Sequence, residues 1–144
     1  MTIEFRSDGT TDSLTHLLAP SCFLDNLQAA YSQACRKGDA LTIISLRINL
    51  HGYTSVPIHS AIMVAMAREV KSKLRAIDFA GRISETGFWI CVHGDLPDAQ
   101  AVAERIVGIT PRVWTVQFIR LGGEDGIVEP FEDWIGRVDQ VHYD

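Results

Sequence analysis

The sequence predicts an α/β chain: a single domain whose helices pack on a mixed, mostly antiparallel central sheet. Three observations predict it. Apolar residues recur at helical spacing in four separate segments. They alternate with polar residues over Ser45–Leu50. Two short strand-like segments, Phe79–Ile83 and Phe88–Val92, are joined by only four residues, Ser84–Gly87. So short a link forces an antiparallel hairpin, whereas strands separated by helices imply crossover connections. At 144 residues the chain is long enough for one core without disulfides or metals.

The elements follow in order. Residues 1–11 are polar and read as a loose lead-in to a domain over 12–144. A first helix is expected from Pro20-Ser21, with Ser21 as N-cap and Asp25 in its first turn. Phe23, Leu27, Ala30, Tyr31 and Ala34 form its apolar face, and Arg36-Lys37-Gly38 ends it. A strand over about Leu41–Leu50 alternates Leu46, Ile48 and Leu50 with Ser45, Arg47 and Asn49. Pro57 opens a second helix that is apolar nearly all round in its middle, which predicts deep burial. Lys71, Lys73 and Arg75 mark its end. In the hairpin, Phe88, Ile90 and Val92 face one way, and Trp89, Cys91 and His93 the other. Asp95 caps a third helix with Ala99, Val102, Ala103 and Ile106 inward. Val113–Ile119 is a strand. Pro130 starts a last helix with Phe131, Trp134, Ile135 and Val138 inward and Glu132 and Asp133 in its first turn.

Composition narrows the function. A net charge of −5 argues against nucleic acid and anionic membranes as partners. The longest wholly apolar run, Ala61–Ala67, is too short to span a bilayer, and the first residues lack a signal-peptide pattern. Cys22, Cys35 and Cys91 have no metal-ligand spacing, so a cytoplasmic protein with reduced thiols is expected. No cofactor or metal is expected: His51 and His59 flank a loop without a third ligand. Ser45, His16 or His93 with Asp95 lack the nucleophile turn of a hydrolase. Trp89, Trp114 and Trp134 are spaced as core or sheet-face aromatics.

The stretch Arg75-Ala-Ile-Asp78-Phe-Ala-Gly-Arg82-Ile-Ser84-Glu85-Thr86-Gly87-Phe88 resembles the signature region of GGDEF domains, the diguanylate cyclase family. There, Arg-x-x-Asp is followed by a strand and then Gly-Gly-Asp/Glu-Glu-Phe. Asp12-Ser-Leu14-Thr15-His16-Leu17 resembles the family's opening Asp-x-Leu-Thr-Gly-Leu. Ala103-Glu104-Arg105-Ile106 and Arg137-Val-Asp139-Gln140-Val-His-Tyr143 are similar to two later family segments. The resemblance covers nearly the whole chain and implies a palm-like fold related to nucleotidyl cyclases.

The departures fall on the chemistry. Cyclisation needs carboxylates that hold divalent metals against a triphosphate. The family places them on the first strand and in the signature turn. Here the strand positions carry Arg47 and Asn49, and the turn reads Ser84-Glu85-Thr86-Gly87. An arginine where a metal should sit is repulsive, so the resemblance implies a catalytically inactive domain. Only polar Thr54, Ser55, His59 and Ser60 occupy the region where the family reads guanine. Leu121-Gly122-Gly123-Glu124-Asp125 imitates the missing signature by composition alone and reads as a solvated loop.

Arg75 and Asp78 keep the spacing of the family's inhibitory site, which binds the product cyclic di-GMP, and Arg105 falls near a second arginine of that site. The resemblance therefore implies a cyclic di-GMP receptor in bacterial signalling that acts through a protein partner. Arginine suits the role, since its planar fork binds phosphate and its face stacks on guanine. Asp78 would accept from guanine N1 and N2. The structural alternative is an Arg75–Asp78 ion pair at a helix-to-strand corner, with Arg105 solvated. That alternative describes an interaction module acting by dimerisation or through a partner, with both sites lost.

Overall fold

The structure, a computed structural model, describes residues 5–50, 56–108, 114–122 and 128–143. Its elements are α1 (Pro20–Lys37), β1 (Thr42–Ile48), α2 (Val56–Lys73), β2 (Phe79–Arg82), β3 (Gly87–Val92), α3 (Leu96–Val107), β4 (Trp114–Arg120) and α4 (Phe131–Tyr143). The four strands form one sheet in the order β2-β3-β1-β4, and all three neighbouring pairs run antiparallel. The mixed character expected of the sheet reduces, among the described residues, to one isolated parallel bridge between Leu18 and Gly81.

The sheet separates two apolar layers. Leu46, Ile48, Phe88, Ile90 and Val92 point to the side that α2 and α3 cover with Met63, Ala67, Val70, Ala99, Val102 and Ile106. Ile43, Trp89 and Cys91 point to the side that α1 and α4 cover with Phe23, Leu27, Trp134 and Val138. The period-two alternation in β3 thus assigns faces as expected. All three tryptophans are buried, and Trp134 donates from Nε1 to the Ile119 carbonyl at 3.3 Å.

Several local expectations change. Helix α1 begins at Pro20, with Ala19 rather than Ser21 as N-cap. Proline's fixed φ and missing N–H suit the first helical position. Ser21 therefore lies inside the first turn, where its hydroxyl donates to the Gly9 carbonyl at 3.3 Å, and Asp25 lies beyond that turn. At the other end Gly38 takes φ 72°, and its N–H returns to the Ala34 carbonyl. Helix α3 starts as expected, with Asp95 and Asp98 forming a reciprocal capping box.

The larger correction concerns α2. Its buried stripe is Met63, Ala67 and Val70, while Ile58, Ala61 and Ala65 are exposed. The helix lies on the surface, because a four-stranded sheet with one helix layer on each face has no interior position for it. Finally, the described part of the lead-in is bonded to the domain. Ser13 N–H donates to the Arg6 carbonyl and Ala19 N–H to that of Thr10. Leu18 adds to the free edge of β2, donating to Ala80 at 3.2 Å and accepting from the N–H of Arg82 at 3.0 Å.

Candidate functional site

The turn that resembles a nucleotide-cyclase signature sits at one end of the β2–β3 hairpin. Ser84 and Gly87 exchange long backbone hydrogen bonds of 3.4 Å, and Ile83 N–H donates to Gly87 at 2.9 Å. On β1, Arg47 stands opposite Gly87, and Ile48 N–H donates to the Thr86 carbonyl at 2.8 Å. The fold therefore brings the end of β1 and the turn together, although the sequence separates them by some forty residues. What meets there is a half-buried Arg47, an exposed Asn49 just beyond the strand, and the exposed carboxylate of Glu85. Among the described residues no three His, Cys, Asp or Glu side chains are grouped as a metal site. His51, Thr54, Ser55 and the stretch Gly123–Asp125 lie outside the described residues.

The turn is held from beneath by Arg82, which is fully buried. One terminal nitrogen donates to both Asp12 carboxylate oxygens at 3.1 and 3.2 Å, and the other donates to the Glu85 carbonyl at 2.8 Å. Its guanidinium carbon lies 5.0 Å from the Phe5 ring centre. Asp12 also accepts from the backbone and hydroxyl of Thr15 at 2.8 and 2.7 Å. The opening Asp12-x-x-Thr15 segment is thus the buried counter-charge of the hairpin. His16, next in sequence, adopts φ 61° where the similar family motif has glycine. It is the only non-glycine with positive φ among the described residues.

Arg75 and Asp78 lie at the opposite end of β2. Arg75 Nε donates to Asp78 Oδ2 at 2.9 Å, and a terminal nitrogen donates to the His93 carbonyl at 3.0 Å. The other Asp78 oxygen accepts from the His93 N–H at 3.0 Å and lies 3.4 Å from His93 Nδ1. The Asp78 side chain is 0% exposed and that of Arg75 is 43% exposed. The two residues therefore have unlike roles. Asp78 is a buried anchor whose oxygens are occupied, so the guanine contact expected of it is not open in this arrangement. Arg75 is fixed by two bonds and still reaches solvent.

Arg105 is exposed on the last turn of α3, about 14 Å along the helix axis from Leu96. Among the described residues no hydrogen bond or ion pair joins it to Arg75 or Asp78. The two residues of the motif are brought together, and the third is not. The hydrolase constellation also stays apart: Ser45 is buried mid-sheet opposite Trp89, His16 is exposed, and His93 turns to Asp78 rather than Asp95. The role of His93 had no sequence signal, because it depends on β3 ending beside the Arg75–Asp78 corner.

Three carboxylates away from the corner are shifted. The backbone N–H groups of Thr11 and Thr10 hold Asp8 below its ordinary 3.8. The Arg120 hydrogen bond and the Leu96 N–H hold Asp95 below its ordinary 3.8. Burial pushes Glu129 up, but the bond from Arg137 and the Gly122 N–H outweigh it and leave Glu129 below 4.5. Burial pushes the Cys91 thiol far up, with Asp78 adding to the effect, so Cys91 is an inert core thiol.

A four-stranded antiparallel sheet between helix pairs, with an Arg-x-x-Asp corner at one end of an edge hairpin and a signature-like turn at the other, defines the GGDEF fold class. Solved structures of that class superpose on the chain closely. The FimX GGDEF domain from Pseudomonas aeruginosa does so with a TM-score of 0.75 at 19% identity, over 91% of this chain and 90% of its own. The GGDEF domain of DgcB from Caulobacter crescentus, solved with c-di-GMP, gives 0.72 at 21%, over 97% and 91%. Diguanylate cyclase SiaD, solved with its activator SiaC from Pseudomonas aeruginosa, gives 0.72 at 21%, over 90% of this chain and 55% of SiaD. The chain has the GGDEF fold. No protein-family profile matches it, and no curated protein sequence does. No described helix is long and apolar enough to cross a membrane.

Proposed function

We propose that the domain is a receptor for cyclic di-GMP that does not synthesise it, and that Arg75 is its phosphate contact. The observation that carries this reading is the state of Arg75. A buried carboxylate and a backbone carbonyl fix its guanidinium at the surface. Such preorganisation lowers the ordering cost of binding an anion. Asp78 acts here as a positioning residue. The absence of synthesis rests on Arg47 and Thr86 at the positions where the similar family carries metal-binding carboxylates. Binding of c-di-GMP by a GGDEF domain of the same fold adds support.

Calorimetry with cyclic di-GMP tests the reading. Micromolar binding by the wild type, lost in Arg75→Ala, is the expected result. No heat at millimolar ligand refutes it. Formation of cyclic di-GMP from GTP and Mg²⁺ refutes the claim of inactivity.

A second reading is a ligand-free interaction module, as SiaD's complex with SiaC illustrates for another protein of this fold. It is favoured by the occupied oxygens of Asp78. An apolar groove of about 620 Å³ beside β4, lined by Ala103, Val107, Val116 and Phe118, also favours it.

A further inference from the structure

The corner that holds Arg75 adjoins a cavity of about 450 Å³, within the size range of small-ligand sites. Its walls are the last turns of α1, the link from α1 into β1, and the corner itself. Two lining residues belong to the corner. Ile77 lies between Arg75 and Asp78 and is 60% exposed. His93 supplies the carbonyl that receives Arg75. The apolar part is formed by Ala30, Ala34 and Leu41, and the rim carries the exposed side chains of Lys37 and Asp39.

The chemistry of this cavity answers a difficulty at the corner. A guanine base presents N1–H and a 2-amino group and needs an acceptor. Asp78 is sealed and already accepts from Arg75 and His93. Asp39 is an exposed carboxylate on the cavity rim. Helix α1 also ends there, and a helix C-terminus is the negative end of the helix dipole, which favours donors over phosphate. Phosphate is favoured instead at Arg75, with the Lys37 cation nearby on the rim. Arg105 stands on the last turn of α3. Helix α3 packs on the sheet face opposite to α1.

We propose that one guanine of cyclic di-GMP enters this cavity, with Asp39 accepting from its N1–H and 2-amino group and Arg75 holding the adjoining phosphate. The inference rests on the receptor reading above and adds the base site to it. It also predicts selectivity, because adenine has no 2-amino donor and no N1–H.

The test is calorimetry on the whole chain with cyclic di-GMP and with cyclic di-AMP. Asp39→Asn should weaken cyclic di-GMP binding at least about tenfold, the scale of one hydrogen bond to a charged group. It should also narrow the preference over cyclic di-AMP. Lys37→Ala should weaken binding severalfold, and Arg105→Ala should leave it within about twofold. Asp39 is exposed, so the Asn variant should melt with the wild type. If Asp39→Asn binds as the wild type while Arg75→Ala does not bind, the base site is wrong and the receptor reading stands. If the wild type binds neither dinucleotide, both are overturned.

Discussion

Replacing Asp12 by alanine tests what holds the hairpin to the opening segment. The change strips the counter-charge from Arg82, whose side chain is 0% exposed, and removes an acceptor from Thr15. Breaking a buried pair by deleting one partner costs about 3–5 kcal/mol, because the remaining charge is left desolvated. That is a large share of the roughly 5–15 kcal/mol by which domains are stable. An unfolding entropy of about 2.1 cal/mol/K per residue over 144 residues is about 0.3 kcal/mol/K. The melting temperature of Asp12→Ala should therefore fall by about 10–17 °C, read by circular dichroism. The double variant Asp12→Ala/Arg82→Met should lose less than the two single changes together, since the orphaned charge is gone. A fall below about 3 °C for Asp12→Ala, or strict additivity in the cycle, would refute the claim that this pair is a buried, coupled anchor.

Other outcomes follow from the same geometry. His16 sits at φ 61° with an exposed side chain. Relief of left-handed strain outweighs the added chain entropy of glycine, so His16→Gly should raise the melting temperature by about 2–3 °C. A fall would show that His16 is held there by a contact worth more than the strain. At Gly81 an added Cβ would lie 2.8 Å from the Cβ of buried Phe23, so Gly81→Ala should destabilise by about 1–3 kcal/mol in urea melts. A neutral result would mean that α1 can shift off β2. Asp95 and Glu129 both have folded values below their ordinary 3.8 and 4.5. Their stabilisation is thus fully present above those values and is lost as pH falls through the folded ones. Melting temperature should hold between about pH 7 and 5 and decline below about 4.5, less steeply in Arg137→Ala. An unchanged acid slope in that variant would remove Glu129 from the account.

The hairpin was legible because only four residues, Ser84–Gly87, separate Phe79–Ile83 from Phe88–Val92, and successive side chains of a strand must point to opposite faces. The Asp95 cap was legible because capping is local, decided within one turn of helix. The exposed side of α2 was not, because apolar composition states a preference for burial and cannot say which layer has room. The Arg82–Asp12 pair joins residues seventy apart in sequence. Neither residue shows its depth without the fold.

The chain by itself determined the order of its elements, the two faces of its sheet and the three-residue spacing of Arg75 and Asp78. All three are set by periodicity and by contacts within a few residues. Only the tertiary structure decided what those two residues are free to do. It buried Asp78 against the end of β3, leaving Arg75 as the exposed cation. It also set the end of α1 beside them, and it placed Arg105 on α3, across the sheet from that end of α1. Burial and through-space proximity depend on the whole packing, so no local pattern could have divided the motif into an anchor and a contact.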